Sequence, residues 1–214
     1  ELARTSIAQS IHASSSEIVF TSGATESNNL AIFGTCLHPR QSRKKVISLT
    51  TEHRAVLDPL KRLERYGFEV VLIPVDSQSV HASQTDGRVD IDRLAKAIDD
   101  SVAVVTVMLA NNEIGVIQEM QSIASHCRKA GCLLHTDATQ AVGKMPICVD
   151  QMDVDLLSFS AHKFYGPKGI GGLYVRNRER RIRLDSQMIG GGHQQNRRSG
   201  TLNAPGIVGM ARAL

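Results

Sequence analysis

The chain has 214 residues, 42% of them apolar and 21% charged, enough for one substantial core and outside the composition of disordered or fibrous proteins. The formal charge of +4 is mild. Its basic excess gathers at Arg176 to Arg183 and at Arg197 and Arg198 without a basic helix face or interleaved aromatics, so these residues predict a solvated edge or a protein-docking patch and no nucleic acid partner.

Residues 2–13 place Leu2, Ile7 and Ile11 on one helical face. A short strand at Glu17 to Phe20 turns through Thr21-Ser22-Gly23-Ala24-Thr25 into a helix over Glu26 to Leu37. That turn offers backbone N–H groups and hydroxyls to an anion at a helix N-terminus, or serves as a plain N-cap through Thr21 or Ser22. It lacks the Gly-Lys-Ser/Thr ending of a nucleotide phosphate loop. A strand at Val46 to Thr50, a helix at Ala55 to Tyr66 and a strand at Glu69 to Val75 follow, with His53 where the first of these strands gives way to its helix. Asp76 to Arg88 is polar and reads as an exposed loop. Asp90 to Asp99 is an amphipathic helix and Val102 to Leu109 a central strand, closed by Asn111-Asn112-Glu113-Ile114-Gly115. Met120 to Ala130 is a helix stopped by Gly131, and Cys132 to Thr136 a strand followed by Asp137-Ala138-Thr139-Gln140. The apolar run Val154 to Phe159 is a buried strand ending in Ser160, after which Ala161, His162 and Lys163 enter a stretch whose glycines and Pro167 forbid regular helix.

The four cysteines, Cys36, Cys127, Cys132 and Cys148, have no C-x-x-C pairing and no histidine at zinc spacing. They read as reduced, mostly buried thiols of a cytoplasmic protein, with no metal site. The longest apolar run, Val102 to Ala110, is too short to span a bilayer and no signal-peptide layout opens the chain, so no membrane partner is expected.

Helices that separate short aliphatic strands predict an α/β fold, a mostly parallel sheet with helices on both faces. Thr25, His53, Asn112, Asp137, Gln140, Ser160 and Lys163 all fall just past strand ends, so a parallel sheet brings them to one rim, where ligands of such sheets bind. A lysine at a buried strand end, partly desolvated, favours the neutral amine that condenses with carbonyls; taken alone, the stretch reads more readily as a solvated lysine in a flexible loop. With its companions, pyridoxal 5'-phosphate (PLP) is the cofactor that uses every group. Its aldehyde needs an amine, its phosphate an anion nest, its ring nitrogen a carboxylate, its ring face an imidazole and its phenolic oxygen an amide.

The stretches S-G-A-T-E-S-N-N, T-E-H-R-A-V, N-N-E-I-G-V, H-T-D-A-T-Q-A-V-G-K, S-A-H-K-F-Y-G-P-K-G and G-G-G-H-x-x-x-x-R-S-G-T together resemble the motif set of the NifS/IscS-type cysteine desulfurases, PLP enzymes of the class V aminotransferase superfamily. The resemblance runs from about residue 1 to residue 214. It implies the large domain of fold type I, with Lys163 holding the cofactor's aldehyde as a Schiff base and later moving the substrate's α-proton. It implies further that His53 stacks on the ring and serves acid/base steps, Asp137 pairs with the ring nitrogen and Gln140 contacts the phenolic oxygen. Asn112 would lie near the substrate, Ala24, Thr25, Ser160 and His162 would cradle the phosphate, and Thr201 would reach the phosphate of a neighbouring subunit in a homodimer. The implied reaction takes L-cysteine to L-alanine and hands sulfur, through an enzyme persulfide, to an acceptor or an iron–sulfur scaffold protein. The same lysine and aspartate suit a selenocysteine lyase, a cystine lyase or an aminotransferase, and a silent module docking a partner through the basic patch is the alternative of another class. No cysteine here matches the family's persulfide loop. The chain is therefore expected to be most of the PLP-binding large domain, lacking an opening segment and the small C-terminal domain, and weak or inactive alone.

Overall fold

Seven strands form one sheet in the order β1-β7-β6-β5-β4-β2-β3 in a computed structural model that describes residues 1–75, 87–178 and 181–214. They are β1 (Ile18–Thr21), β2 (Lys45–Leu49), β3 (Glu69–Ile73), β4 (Val102–Thr106), β5 (Leu133–Asp137), β6 (Leu156–Ser160) and β7 (Gly171–Val175). The run from β3 through β2, β4 and β5 to β6 is parallel, and β7 alone runs against its neighbours β6 and β1. The chain steps outward from β2 to β3 and then returns to the other side of β2 as β4. That reversal opens a crevice at the C-terminal ends of β2 and β4.

The aliphatic strands β4, β5 and β6 are buried on both faces, as the interior of a parallel sheet requires, while the edge strand β3 stays partly exposed. Helices α2 (Ala24–Cys36) and α3 (Arg54–Leu63) cover one face, packing Leu30, Ala31, Val56 and Leu60 on Val46, Val104, Leu133 and Leu156. On the other, α1 (Leu2–Ser10), α4 (Ile91–Ala97), α5 (Met120–Ala130) and the last helix, Ala204–Ala213, bring Ile7, Leu94, Ile123 and Met210 onto Ile47, Val105, Leu134 and Leu157.

The main departures from expectation have local causes. Helix α1 stops at Ser10 and His12 takes a left-handed φ of 57°, so residues 11–13 leave the helix. Neither Thr21 nor Ser22 caps α2; Gly23 is its N-cap. The basic cluster is not a solvated edge throughout: Arg176 and Arg197 are buried, Arg176 pairs with Asp153, and Arg178 pairs with Glu17 and Asp150. Strand β7, the turn of helix Val149–Met152 and the last helix were not expected. Of the loop expected over Asp76 to Arg88, residues 76–86 lie outside the described residues. Cys36, Cys127 and Cys132 are buried and Cys148 half-buried, and no disulfide joins any of them. Among the described residues no helix is long and apolar enough to cross a membrane.

Candidate active site

A cavity of ≈ 580 Å³ opens at the C-terminal edge of the sheet, and Ala24, Thr25, His53, Asn112, Asp137, Gln140, Ser160, His162 and Lys163 all line it. They come from five segments that the topology brings together: Ala24 and Thr25 open α2, His53 follows β2, Asn112 follows β4, Asp137 ends β5 with Gln140 just beyond, and Ser160 ends β6 with His162 and Lys163 next. Thr201 alone of the expected site residues lies outside the cavity, exposed at the surface.

The first turn of α2 faces the cavity without a side-chain cap, because its N-cap is Gly23, so its N–H groups are available to an anion. Gly23 has a φ of 154°, and Gly171 of β7 approaches so closely that a Cβ there would sit 2.7 Å from the Gly23 Cα. Only glycine at 171 lets β7 press this turn against the end of β6. Ser160 Oγ lies 2.9 Å from His162 Nδ1. Burial, with Lys163 and Lys168 adding positive charge, holds the His162 imidazole below its ordinary pKa. Glu26, a carboxylate beside this cradle, accepts from Arg198 Nε at 2.7 Å and from Ser22 N at 2.7 Å. Burial alone would raise Glu26, but the hydrogen bonds from Arg198 and Ser22 outweigh it and hold the carboxyl below its usual range. Arg198 thereby offsets the one acid that would repel an anion bound there.

On the opposite wall Asp137 is buried, its Oδ2 accepting from Asn28 Nδ2 at 2.8 Å and its Oδ1 from Thr139 N at 3.0 Å. His53 caps α3, its Nδ1 accepting from Ala55 N at 3.0 Å, which places the proton of the neutral ring on Nε2. Asn111 shapes its turn, donating to Thr51 O and accepting from Glu113 N and Ile114 N, and leaves Asn112 to the cavity. Lys144 Nζ donates to Gln140 Oε1 at 2.8 Å, so the Gln140 amide nitrogen is the end left to donate inward.

These groups fit PLP on the structure's own evidence. An uncapped helix N-terminus with nearby hydroxyl and imidazole suits a phosphate; an amine, a buried carboxylate and an imidazole suit a charged heteroaromatic aldehyde. Buried side-chain atoms without a partner gather around Asp137: Asn28 Oδ1, Thr139 Oγ1 and Glu52 Oε2. Ser22, in the turn expected to meet an anion, lines the cavity too; sequence reading missed Glu26, Met108, Thr139 and Lys168, which also line it, and Asn28 and Glu52 behind it. Most stand inside the motifs quoted above, but no local pattern shows that Asn28 meets a carboxylate 109 positions away.

The family profile described as aminotransferase class-V matches residues 1–214. The chain belongs to the class-V aminotransferase family. It is 50% identical over 213 residues to the cysteine desulfurase IscS of Salmonella paratyphi B, covering 100% of this chain and 50% of that protein. Among solved structures, a NifS-like protein superposes with a TM-score of 0.90 at 40% identity, over 99% of this chain and 56% of that one. SspA in complex with cysteine superposes at 0.89 and 40% identity, over 99% and 58%. The chain thus spans about half the length of these relatives.

Proposed function

We propose that this chain forms the cofactor-binding part of a PLP-dependent cysteine desulfurase, which converts L-cysteine to L-alanine and passes the sulfur to an acceptor. One observation carries the reading: Lys163, Asp137 and the uncapped N-terminus of α2 face a single cavity of ≈ 580 Å³. The names of the relatives support the choice of reaction within the family.

When bound, PLP supplies an aldehyde that bonds to amines and a ring that draws electrons from an attached amino acid. Lys163 Nζ offers the amine and, when free, holds and returns a proton at the substrate's α-carbon. Asp137 keeps the ring nitrogen charged, and Asn28 and Thr139 fix both its oxygens in place. His53, its Nδ1 held by Ala55 N, would offer its ring face to the cofactor, Gln140 would donate to the phenolic oxygen, and Asn112 would contact the substrate. Ala24, Thr25, Ser160 and His162 hold the phosphate. Thr201, exposed and away from its own cavity, serves the phosphate site of a second copy in a homodimer. In this reading the protein works in the cytoplasm, in keeping with cysteines that form no disulfide, and an iron–sulfur scaffold or another acceptor protein takes the sulfur.

Absorbance tests the cofactor assignment. PLP added to the protein is expected to give the visible band of lysine-bound pyridoxal, and Lys163→Ala to abolish it. An unchanged band in Lys163→Ala would overturn the assignment. Alanine and sulfide formed from L-cysteine identify the desulfurase; alanine from selenocysteine alone, or amino transfer to a keto acid without sulfide, reassigns the reaction within the family.

A further inference from the structure

We propose that Glu52 is a positioning residue that keeps its proton in the folded protein and bridges the turns after β2 and β4, leaving Asp137 as the anion beneath the cavity. The role given to Asp137 rests on the PLP reading above; the proton and the bridge do not.

Glu52 is 6% exposed and stands immediately before His53. Its Oε1 accepts from Met108 N at 2.8 Å, so it ties the turn that carries His53 to the backbone of a residue on the facing wall of the cavity. The bond crosses the crevice where the strand order reverses, beyond the last pair of the β2–β4 ladder, Ser48 with Thr106. Asn111 Nδ2 adds a second tie across the same gap, to Thr51 O at 2.8 Å.

The rest of the molecule shows how this protein treats a buried carboxylate that is charged. Glu17 is fully buried and accepts from Ser14 N, Asn177 N and Arg178 Nε. Asp155, equally buried, meets Arg128 and Arg176. Glu52 has one N–H, no cation among the ion pairs of the described residues, and an Oε2 with no partner. An ion so placed is far costlier than a neutral acid. Among the described residues the titratable group acting on it is Asp137 at the end of β5, His53 is its neighbour on its own turn, and the segment after β4 presents the Met108 amide. Burial pushes the Glu52 carboxyl well above its ordinary range, the Met108 N–H opposes this, and the charge of Asp137 adds to the rise.

A group whose folded pKa is raised adds stability below its unfolded pKa and loses it as pH rises through the folded value. Glutamine does not titrate and keeps an oxygen for Met108 N. Urea unfolding of the protein without cofactor should therefore show the folding constant of Glu52→Gln over that of wild type rising with pH. The rise is up to about tenfold per pH unit above about pH 4.3, until Glu52 ionises. In an Asp137→Asn background the rise should be smaller, because the charge opposing ionisation is gone. A ratio flat between pH 5 and 8 overturns the proton, and a rise of the same size in the Asp137→Asn background overturns the coupling to Asp137.

Amide hydrogen exchange reads the bridge. Met108 N–H should stay protected in Glu52→Gln and exchange at least tenfold faster in Glu52→Ala; equal protection in Glu52→Ala overturns it. If wild type with PLP never shows the lysine-bound band while these results hold, the cofactor reading fails and Glu52 keeps its role. The opposite pattern sinks the role of Glu52 and leaves the cofactor reading intact.

Discussion

Asp155, just before β6, and Asp137, at the end of β5, are buried carboxylates on paired parallel strands at opposite edges of the sheet. Asp155 Oδ1 is 2.9 Å from Arg128 Nη1 and 4.0 Å from Arg176 Nε, and its Oδ2 accepts from Leu134 N at 2.9 Å. Arg128 also forks onto Asp153, with both bonds at 2.8 Å. Among the described residues Asp137 receives the neutral donors Asn28 and Thr139 alone, and its neighbours Asn28 and Thr139 each keep a buried atom without a partner. One edge has its charge matched within the chain and its work is to hold β5, β6 and α5 together. The other retains a buried carboxylate with no cation in the ion pairs of the described residues, which under the proposed function would meet a cationic ring.

The comparison breaks first at Asp155. Asp155→Ala takes from Arg128 and Arg176 one of the two carboxylates they share, leaving them Asp153 alone, and strands the Leu134 amide; it should cost about 3–5 kcal/mol in urea unfolding without cofactor, as the loss of a buried ion-pair partner together with the acceptor of a buried N–H does. A cost below about 1 kcal/mol would mean that this edge is no more completed than the other.

A second test separates neutrality by pairing from neutrality by burial. His135, two residues before Asp137, is buried between Thr106 Oγ1 at 2.7 Å and Ser158 Oγ at 2.9 Å. Burial pushes its imidazole down to about 4, with Asp137 pulling the other way. The unfolded chain therefore binds the extra proton first, and stability present above about pH 6.5 is lost as pH falls toward 4. The folding constant of wild type over His135→Gln should fall up to about tenfold per pH unit across that window, on the order of 3 kcal/mol in all. A ratio that does not move with pH would show the ring charged or exposed in the folded state.

Asp137→Asn sharpens the contrast with Asp155. Asn28 can turn its amide so that the unpaired Oδ1 accepts from the new side chain, and a buried charge disappears. Stability without cofactor should then rise by up to about 1 kcal/mol, while the lysine-bound PLP band weakens or shifts. A loss of several kcal/mol would place Asp137 with Asp155, as a structural carboxylate.

The rim was legible because aliphatic strands separated by helices leave a parallel sheet as the arrangement that buries both faces, and the residues past each strand end then converge. What lies behind the rim was not. Gly171 and Gly172 read as loop punctuation, yet they belong to β7, where a Cβ at Gly172 would sit 2.4 Å from the Phe159 ring; here glycine marks a close approach within a strand. The arginines of Arg176 to Arg183 read as a docking patch because nothing in their own neighbourhood shows that Asp153 and Asp155 enter β6 alongside them. Asn28 and Glu52 act through contacts between distant segments, which periodicity does not encode.

The smallest effect tests whether the site's tuning extends to its exposed margin. Lys144 is exposed and its Nζ donates to Gln140 Oε1 at 2.8 Å. An exposed charge of this kind contributes little to folding, so Lys144→Ala should change stability by less than about 0.5 kcal/mol. Its consequence lies in orientation: without the lysine, the Gln140 amide turns freely and spends part of its time with the oxygen inward, where it repels a phenolic oxygen instead of donating to it. Halving the time spent in the productive orientation weakens binding about twofold, since affinity scales with the fraction of the competent form. PLP titration of Lys144→Ala should show a shift of that size, with the band position unchanged. A tenfold loss would mean that the Lys144 charge itself attracts the cofactor, and that the unmatched anion at Asp137 is part of a wider field rather than the local feature that sets this edge of the sheet apart.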